Sequence, residues 1–473
     1  MDNKNYRTER DLLGEKEVPA EAYYGVQTLR AVENFHISGR TLSEYPNFIK
    51  GLALTKKAAA IANAEVGMIE ADRSKAMQEA CDDLLAGKYH DQFPVDMIQG
   101  GAGTSTNMNA NEVIANIAIE KLGGKKGEYK YCDSHDDANA SQSTNDAYPC
   151  AIHMAMYLEH LEFVPRMEKF IESLEKKEKE FASIVKMGRT QLQDAVPMTL
   201  GQTFGGFAAA MRMELANMNR AAEEWLTINM GATAIGTGIC SKPGYSAACT
   251  KALAKVTGWN IKLAENLIEA TSATAPYVEY SQAMKRLALR INKICNDLRL
   301  MGSGPRCGIH ELFLPERQPG SSIMPGKVNP VIPEVMNQCC YKVIGNDLCI
   351  TMAADNGQLE LNVMEPVIAY SLFESIHLLG NGIDTLRTLC IDGIKADVER
   401  CRSLVENSIG IITMLNPIIG YDASTEIARE ATLTGRGVME LVLEHKLLTK
   451  EQLDEVMKPE NMIEPKDLSY IKK

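Results

Sequence analysis

The chain has 473 residues, 45% of them hydrophobic, with 50 basic against 62 acidic side chains for a net charge of −12. Such a length supports a large core and two or three domains rather than one small module. An acidic balance without a dense Lys/Arg run argues against nucleic acid or an anionic membrane surface as partner, but leaves room for a local cationic site that takes a small anion.

Residues 1–142 read as an N-terminal mixed, mainly helical domain with glycine punctuation. The opening is polar and carries no signal peptide, and apolar runs such as 409–420 are short and broken by Asn416 and Pro417. No segment is therefore expected to span a bilayer, and the cytoplasm is the default location. The stretch GGAGTSTNMNANE at 100–112 leads from glycines into Thr104, Ser105, Thr106, Asn107 and Asn109. It fits neither glycine pattern for nucleotide phosphates, so it reads as a helix start or as a cluster of small polar donors. The twelve cysteines are scattered. They form no disulfide framework, and neither the Cys339–Cys340 pair nor Cys132 with His135 gives the ligand spacing of zinc; they are expected to be buried thiols.

Residues 143–395 read as a central helical-bundle domain. It opens on SQSTNDAYP at 141–149, which lines up Ser143, Thr144, Asn145 and Asp146 and by itself is a turn or an N-cap. Leu158, Leu161, Val164, Ile171, Leu174, Phe181 and Val185 then trace the apolar seam of a first helix. Past its end, GRTQLQDAVPMTLGQ at 188–202 offers Thr190 and Gln191 in a loop. A second helix lies around 203–229, rich in small residues that permit close helix approach. A third is marked by Met284, Leu287, Ile291, Ile294 and Leu298. Two more, at about 334–353 and 364–390, complete five candidates for a long up-and-down bundle. Asn337, Gln338 and Asn346 lie among apolar residues of the fourth, a pattern that suggests a second face buried in an oligomer. Residues 396–473 read as a small C-terminal helical domain, in which Thr449 and Gln452 have capping-box spacing.

Between the third and fourth helices lies GSSIMPGKVNP at 320–330. Its glycines and prolines rule out regular helix or strand and let the loop bend over a small anion. Lys327 supplies charge and Asn329 directional hydrogen bonds for a carboxylate, while a serine near that charge, Ser321 or Ser322, is a candidate base. Together the four polar segments carry many neutral donors, one lysine and no nucleophile with an evident His or Asp partner. Such equipment suits a small dicarboxylate. Removing a proton beside a carboxylate makes it a dianionic enediolate, which a ring of donors stabilises, so β-elimination needs no cofactor here.

All four segments, in this order and spacing, resemble the fumarase/aspartase superfamily, with similarity running from DLLGEKEVPAEAYYGVQT to NSIGIITMLNPIIGY. The resemblance is strongest to its aspartate ammonia-lyase branch, through AYYGVQTLRAVENF, STNDAYP, KMGRTQLQDAVPMTLGQ, NMGATAIGTG, ICNDLRLMGSGPR and GQLELNVMEPVI. It implies a mainly α, three-domain fold whose five-helix bundles assemble into the twenty-helix core of a homotetramer, with sites shared by three subunits. It also implies reversible deamination of L-aspartate to fumarate, with no cofactor required. Ser321 is then the base at Cβ. Lys327 and Asn329 hold the α-carboxylate, Thr104, Ser143, Thr144 and Ser322 the β-carboxylate, and Asn145, Thr190 and Gln191 surround the amino group.

A class II fumarase is the competing reading, and a non-catalytic homologue a third. The fumarase pattern puts His after the Thr of the GRT motif, where this chain has Gln191, and pairs it with a carboxylate matched here by Glu334. Water leaves only when protonated, whereas ammonium already carries its proton, so a non-titrating amide suits an ammonia-lyase. Fumarases also carry HPND as a secondary anion site where residues 133–136 read DSHD.

Overall fold

The computed structural model describes residues 5–472; positions 1–4 and 473, the extremities of the expected outer domains, lie outside the described residues. In chain order a hairpin of β1 (Tyr6–Asp11) and β2 (Gly14–Pro19) precedes α1 (Val26–Asn34), α2 (Pro46–Glu65), α3 (Ala71–Leu85), α4 (Thr104–Lys121) and the long α5 (Thr144–Glu180). The hairpin of β3 (Val185–Thr190) and β4 (Gln193–Thr199) leads into α6 (Leu200–Ala222), followed by β5 (Thr227–Ile228), α7 (Tyr245–Thr257), β6 (Lys262–Leu263) and α8 (Leu267–Ser272). Then come α9 (Ala275–Met301), β7 (Leu312–Phe313), α10 (Val331–Asp355), α11 (Glu365–Leu389) and β8 (Lys395–Ala396). Six helices finish the chain: α12 (Val398–Glu406), α13 (Ile412–Ile419), α14 (Tyr421–Thr434), α15 (Val438–Glu444), α16 (Lys450–Val456) and α17 (Pro459–Met462). Every sheet has two strands. The fold is mainly α.

The five bundle candidates correspond to α5, α6, α9, α10 and α11. The seam read on α9 is buried from Met284 to Leu298. On α5 the sequence reading needs two corrections. Val185 is not helical but opens β3, and Leu161 faces solvent rather than the seam. The helix also begins fourteen residues before Leu158, despite Pro149 within it. Proline lacks the N–H that would bond the Asn145 carbonyl. That carbonyl instead accepts from Asn229 Nδ2 at 3.1 Å, so the early turn loses no hydrogen bond.

Compactness divides the described chain into two units. One comprises residues up to Pro165, Glu214–Ala288 and Tyr341–Leu379; the other comprises Arg166–Met213, Leu289–Cys340 and residues from Gly380 onward. Each long bundle helix contributes residues to both. In the first unit, α2, α5 and α7 share a core of small side chains, including Ala58, Ala62, Ala147, Cys150, Ala248 and Cys249. Small residues let helix axes approach closely, which fixes the start of α5 against its neighbours. In the second unit, Met187 of β3 joins Leu415, Ile418, Leu441, Leu453 and Val456 in one apolar cluster, so the C-terminal helices form the floor beneath the β3–β4 hairpin. The expected capping box of Thr449 and Gln452 starts α16.

One further expectation changes. All twelve cysteines are free thiols, but Cys240 and Cys307 are exposed rather than buried. The buried amides on α10 are satisfied within the chain: Asn337 Nδ2 donates to Asn292 Oδ1 at 2.6 Å, and Asn346 Nδ2 to Glu374 Oε2 at 2.8 Å. Asn337 and Asn346 thus find partners within the chain, while Gln338 is exposed. The apolar stripe that faces outward on α10 is Tyr341, Leu348 and Met352, which are 55%, 61% and 62% exposed. Among the described residues, no helix is long and apolar enough to cross a membrane.

Candidate active site

The sequence-predicted residues fall into two groups, one per unit. In the first unit, Thr104 starts α4 and Thr144 starts α5. Gly103 lets the two helix ends meet. Its φ of +92° suits glycine alone, and a Cβ there would lie 2.4 Å from the Tyr148 ring of α5. Thr104 is exposed, its hydroxyl donating back to Gly101 O at 2.8 Å. Ser143 stands at the N-cap of α5, where its carbonyl accepts from Ala147 N at 3.1 Å and its hydroxyl from Asn145 N at 3.2 Å. Asn145 Nδ2 donates to Ala234 O at 2.8 Å. Two helix N-termini thus bring their hydroxyls together at the positive ends of two helix dipoles, an arrangement that favours negative charge.

Beneath this group lies a polar network that the sequence did not reveal. Asn107 Nδ2 donates to Thr144 Oγ1 at 3.3 Å and to Asn139 Oδ1 at 3.1 Å. Asn139 Oδ1 also receives Asn111 Nδ2 at 3.0 Å and Lys56 Nζ at 3.3 Å, while Lys56 donates to Gln142 Oε1 at 2.8 Å. Lys56 is only 3% exposed. Burial pulls its pKa down to about 7, opposed by the charge of Asp146. Asp146 is itself pushed up to about 6 by burial, although Ser143, Gly231 and Thr233 donate backbone N–H groups to it at 2.9–3.0 Å. The available signal was the pair Lys56 and Lys57 ahead of the small apolar run AAAIA of α2.

In the second unit, Thr190 and Gln191 lie at the tip of the β3–β4 hairpin. Thr190 pairs with Gln193, which leaves Gln191 and Leu192 as a two-residue turn with φ of +54° and +61°. Positive φ at both central positions gives a type I′ turn; two non-glycine residues there store strain of a kind concentrated at functional sites. Both side chains are exposed.

The 320–330 loop closes on itself through Gly320 N to Lys327 O at 2.6 Å and Asn329 Nδ2 to Gly320 O at 2.7 Å. Inside that closure, Ser321 Oγ accepts from the backbone N–H groups of Ile323 at 3.2 Å and Met324 at 3.0 Å. Donors aimed at a hydroxyl oxygen stabilise its alkoxide more than its neutral form. Ser321 is half-buried, while Ser322 and Lys327 are exposed. Glu334 sits in the first turn of α10 just beyond. Among the described residues no group of three His, Cys, Asp or Glu side chains is placed to hold a metal ion.

The family model described as Lyase matches residues 14–345, and that described as Fumarase C C-terminus matches residues 411–464. The chain is 57% identical over 461 residues to the aspartate ammonia-lyase of Pseudomonas aeruginosa, covering 97% of each protein. It is 53% identical over 464 residues to that of Escherichia coli, covering 98% of this chain and 97% of the relative. Among solved structures, a fumarate lyase:delta crystallin from Brucella melitensis bound to cobalt matches with TM-score 0.95 at 48% identity, over 98% of this chain and 100% of that one. A class II fumarase from Schistosoma mansoni matches with TM-score 0.92 at 33% identity, over 98% and 100%.

Proposed function

The chain belongs to the fumarase/aspartase superfamily of lyases, and from that premise we propose how its residues divide the work of an ammonia-lyase. It is a carbon–nitrogen lyase that interconverts L-aspartate with fumarate and ammonia.

Ser321 takes a proton from Cβ. The supporting observation is the pair of backbone N–H groups aimed at its Oγ, which favours the alkoxide that a base at this position requires. The C–H electrons move into the β-carboxylate, making an enediolate held by Thr104, Ser143, Thr144 and Ser322. As the enediolate collapses, the Cα–N bond breaks anti to the lost proton, ammonia departs with the bonding pair, and the Cα–Cβ double bond of fumarate forms. Ser321 then returns its proton to solvent. Lys327 and Asn329 hold the α-carboxylate throughout, while Asn145, Thr190 and Gln191 orient the ammonium. None of these steps requires a cofactor.

The two residue groups come together in a cytoplasmic homotetramer with a twenty-helix core, each site drawing on three subunits. The three-domain partition at 142/143 and 395/396 belongs to the same proposal. The assembly is supported by the outward apolar stripe of Tyr341, Leu348 and Met352 on α10, a face that is stabilised by burial against another helix. Incubating the purified protein with L-aspartate and following fumarate by its ultraviolet absorbance tests the reaction, with L-malate as control. Fumarate from malate faster than from aspartate would give the fumarase reading instead.

A further inference from the structure

Gln191 rides on a hairpin whose attachment is unusual. Lys186 and Arg189 are three residues apart on β3, and in an uninterrupted strand they would point to opposite faces. The register slips between Met187 and Arg189, where Gly188 of β3 stands opposite both Ala195 and Val196 of β4, so the extra residue lies on β4; the local twist is increased there, and both cations reach the same carboxylate. Gly188 is required there: a Cβ would lie 2.8 Å from the Val196 carbonyl oxygen of the paired strand.

Both cations converge on Glu311. Arg189 Nη1 donates to Glu311 Oε1 at 2.8 Å, and Lys186 Nζ forms an ion pair with Oε2 at 3.1 Å. Glu311 is 0% exposed. Its backbone is tied on both sides, its N–H donating to Met301 O at 2.8 Å at the end of α9 and its carbonyl accepting from Asp397 N at 2.9 Å ahead of α12. A carboxylate so fixed, out of water, with two cations from one hairpin, acts as a clamp with little freedom to slide. Arg189 is the immediate neighbour of Thr190 and lies two residues from Gln191, so the clamp holds the strand at the base of the strained tip.

We propose that Glu311 is a positioning residue for the amino-group side of the site, acting through Lys186 and Arg189 to hold the turn that presents Gln191. The proposal rests on the reading that Gln191 orients the ammonium. It assigns Glu311 no contact with substrate. Loosening the clamp therefore weakens recognition of the nitrogen and leaves the carboxylate contacts intact.

The test runs the reaction in reverse, with fumarate saturating and ammonium chloride varied, alongside competitive inhibition by succinate, which has both carboxylates and no amine. Glu311→Gln is expected to raise KM for ammonia by about tenfold or more while the succinate inhibition constant changes by less than about twofold. Glu311→Asp, which keeps the charge on a shorter arm, should fall between. Because Glu311→Gln leaves two buried cations short of a partner, the triple variant Lys186→Met, Arg189→Met, Glu311→Leu is measured beside it; removing all three charges preserves packing but not the clamp, and it should show the same selective rise. An unchanged ammonia KM in the folded variants overturns the proposal. So does an equal loss for ammonia and succinate, or failure of every variant to fold, since each reduces Glu311 to a general structural role. A parent that consumes no fumarate with ammonia fails the ammonia-lyase reading itself, which separates the two results.

Discussion

The backbone N–H of Met324 donates to the Oγ of Ser321 at 3.0 Å, joining a hydroxyl to the loop that surrounds it. The bond orients the oxygen and favours its deprotonated form. Ser321→Ala should therefore remove the base and lower kcat by about 10³-fold or more, with KM nearly unchanged. Two N–H groups lose a partner, but the loop is partly solvated, so unfolding should shift by no more than about 1 kcal/mol. Near-parental fumarate production by a folded variant would return the base role to Ser322 or to water.

Lys327 and Asn329 should separate in the kind of damage they cause. Lys327 is exposed and bonds the loop through its backbone alone, so Lys327→Ala should raise KM for aspartate by about tenfold or more at constant thermal stability. Lys327→Arg should recover little, because a planar fork does not replace a compact ammonium in a tight loop. The side chain of Asn329 already donates to Gly320 O at 2.7 Å, so Asn329→Ala should lower kcat as well as raise KM by loosening the loop around Ser321. Steady-state kinetics on the three variants decide this, and identical profiles would contradict the division.

Asn139 gathers three donors, from Lys56, Asn107 and Asn111, on one oxygen. Asn139→Ala takes one acceptor from each, leaving Lys56 with Gln142 and Asn107 with Thr144, at a total cost of about 1–3 kcal/mol. The expected outcome is a marked fall in the midpoint of urea unfolding, together with a higher KM for aspartate as Asn107 ceases to orient Thr144. A variant with parental stability would show that the network is held by other contacts.

What the sequence made legible was local. Helical periodicity located the five long helices, and a capping box is a pattern within four residues, so Thr449 and Gln452 were readable without a fold. The polar candidates stood out only as a set, through the resemblance carried by all four segments in order, since a single Ser/Thr/Asn-rich loop reads equally well as a turn or an N-cap. Lys56, Asn139 and Glu311 did not stand out, since each acts through a partner far away in sequence: Lys56 reaches Asn139 across 83 residues, and Arg189 reaches Glu311 across 122. Pro149 misled for a related reason. Its disruption of α5 is answered by Asn229, which no window of local sequence contains.

The pH dependence of stability carries a signature of one buried acid. Burial alone pushes Glu365 up to about 8 from an ordinary 4.5. Between those values the folded protein holds a proton that the unfolded chain has released, so stability falls as pH rises through the window. Glu112, pushed up to about 7 by burial, acts in the same direction, and Lys56, drawn down to about 7, acts in the opposite direction only above that pH. Asp146, pushed up to about 6, adds to the carboxyls below that pH, while His153 and His160, drawn down to about 4 by burial, oppose them up to about pH 6.5, so the share of Glu365 is read as the difference between variant and parent at pH 5 and pH 7. Glu365→Gln should lessen the loss of stability over that interval by about 2 kcal/mol relative to the parent. An unchanged slope would place the titration elsewhere.

Gln191 is the proposed reader of the leaving group, and its backbone permits a decisive substitution. Its φ of +54° lies in the left-handed region, which histidine tolerates better than most residues, so Gln191→His should fold. An amide that only orients an ammonium transfers no proton. Gln191→Ala should then weaken aspartate turnover by about 1 kcal/mol or somewhat more, without adding a titration near neutrality. Gln191→His brings a group that titrates near pH 6.5, so kcat/KM on aspartate should gain a new inflection close to that value. Below it the imidazolium repels the substrate ammonium and the rate should fall; above it the neutral ring accepts a hydrogen bond and the rate should recover. Activity on malate should rise only slightly, because the rest of a water-eliminating site is missing. The profiles are measured on both substrates for the parent and the two variants. If Gln191→His shows the same pH profile as the parent on aspartate, residue 191 does not face the nitrogen, and Asn145 or Thr190 becomes the residue that reads it.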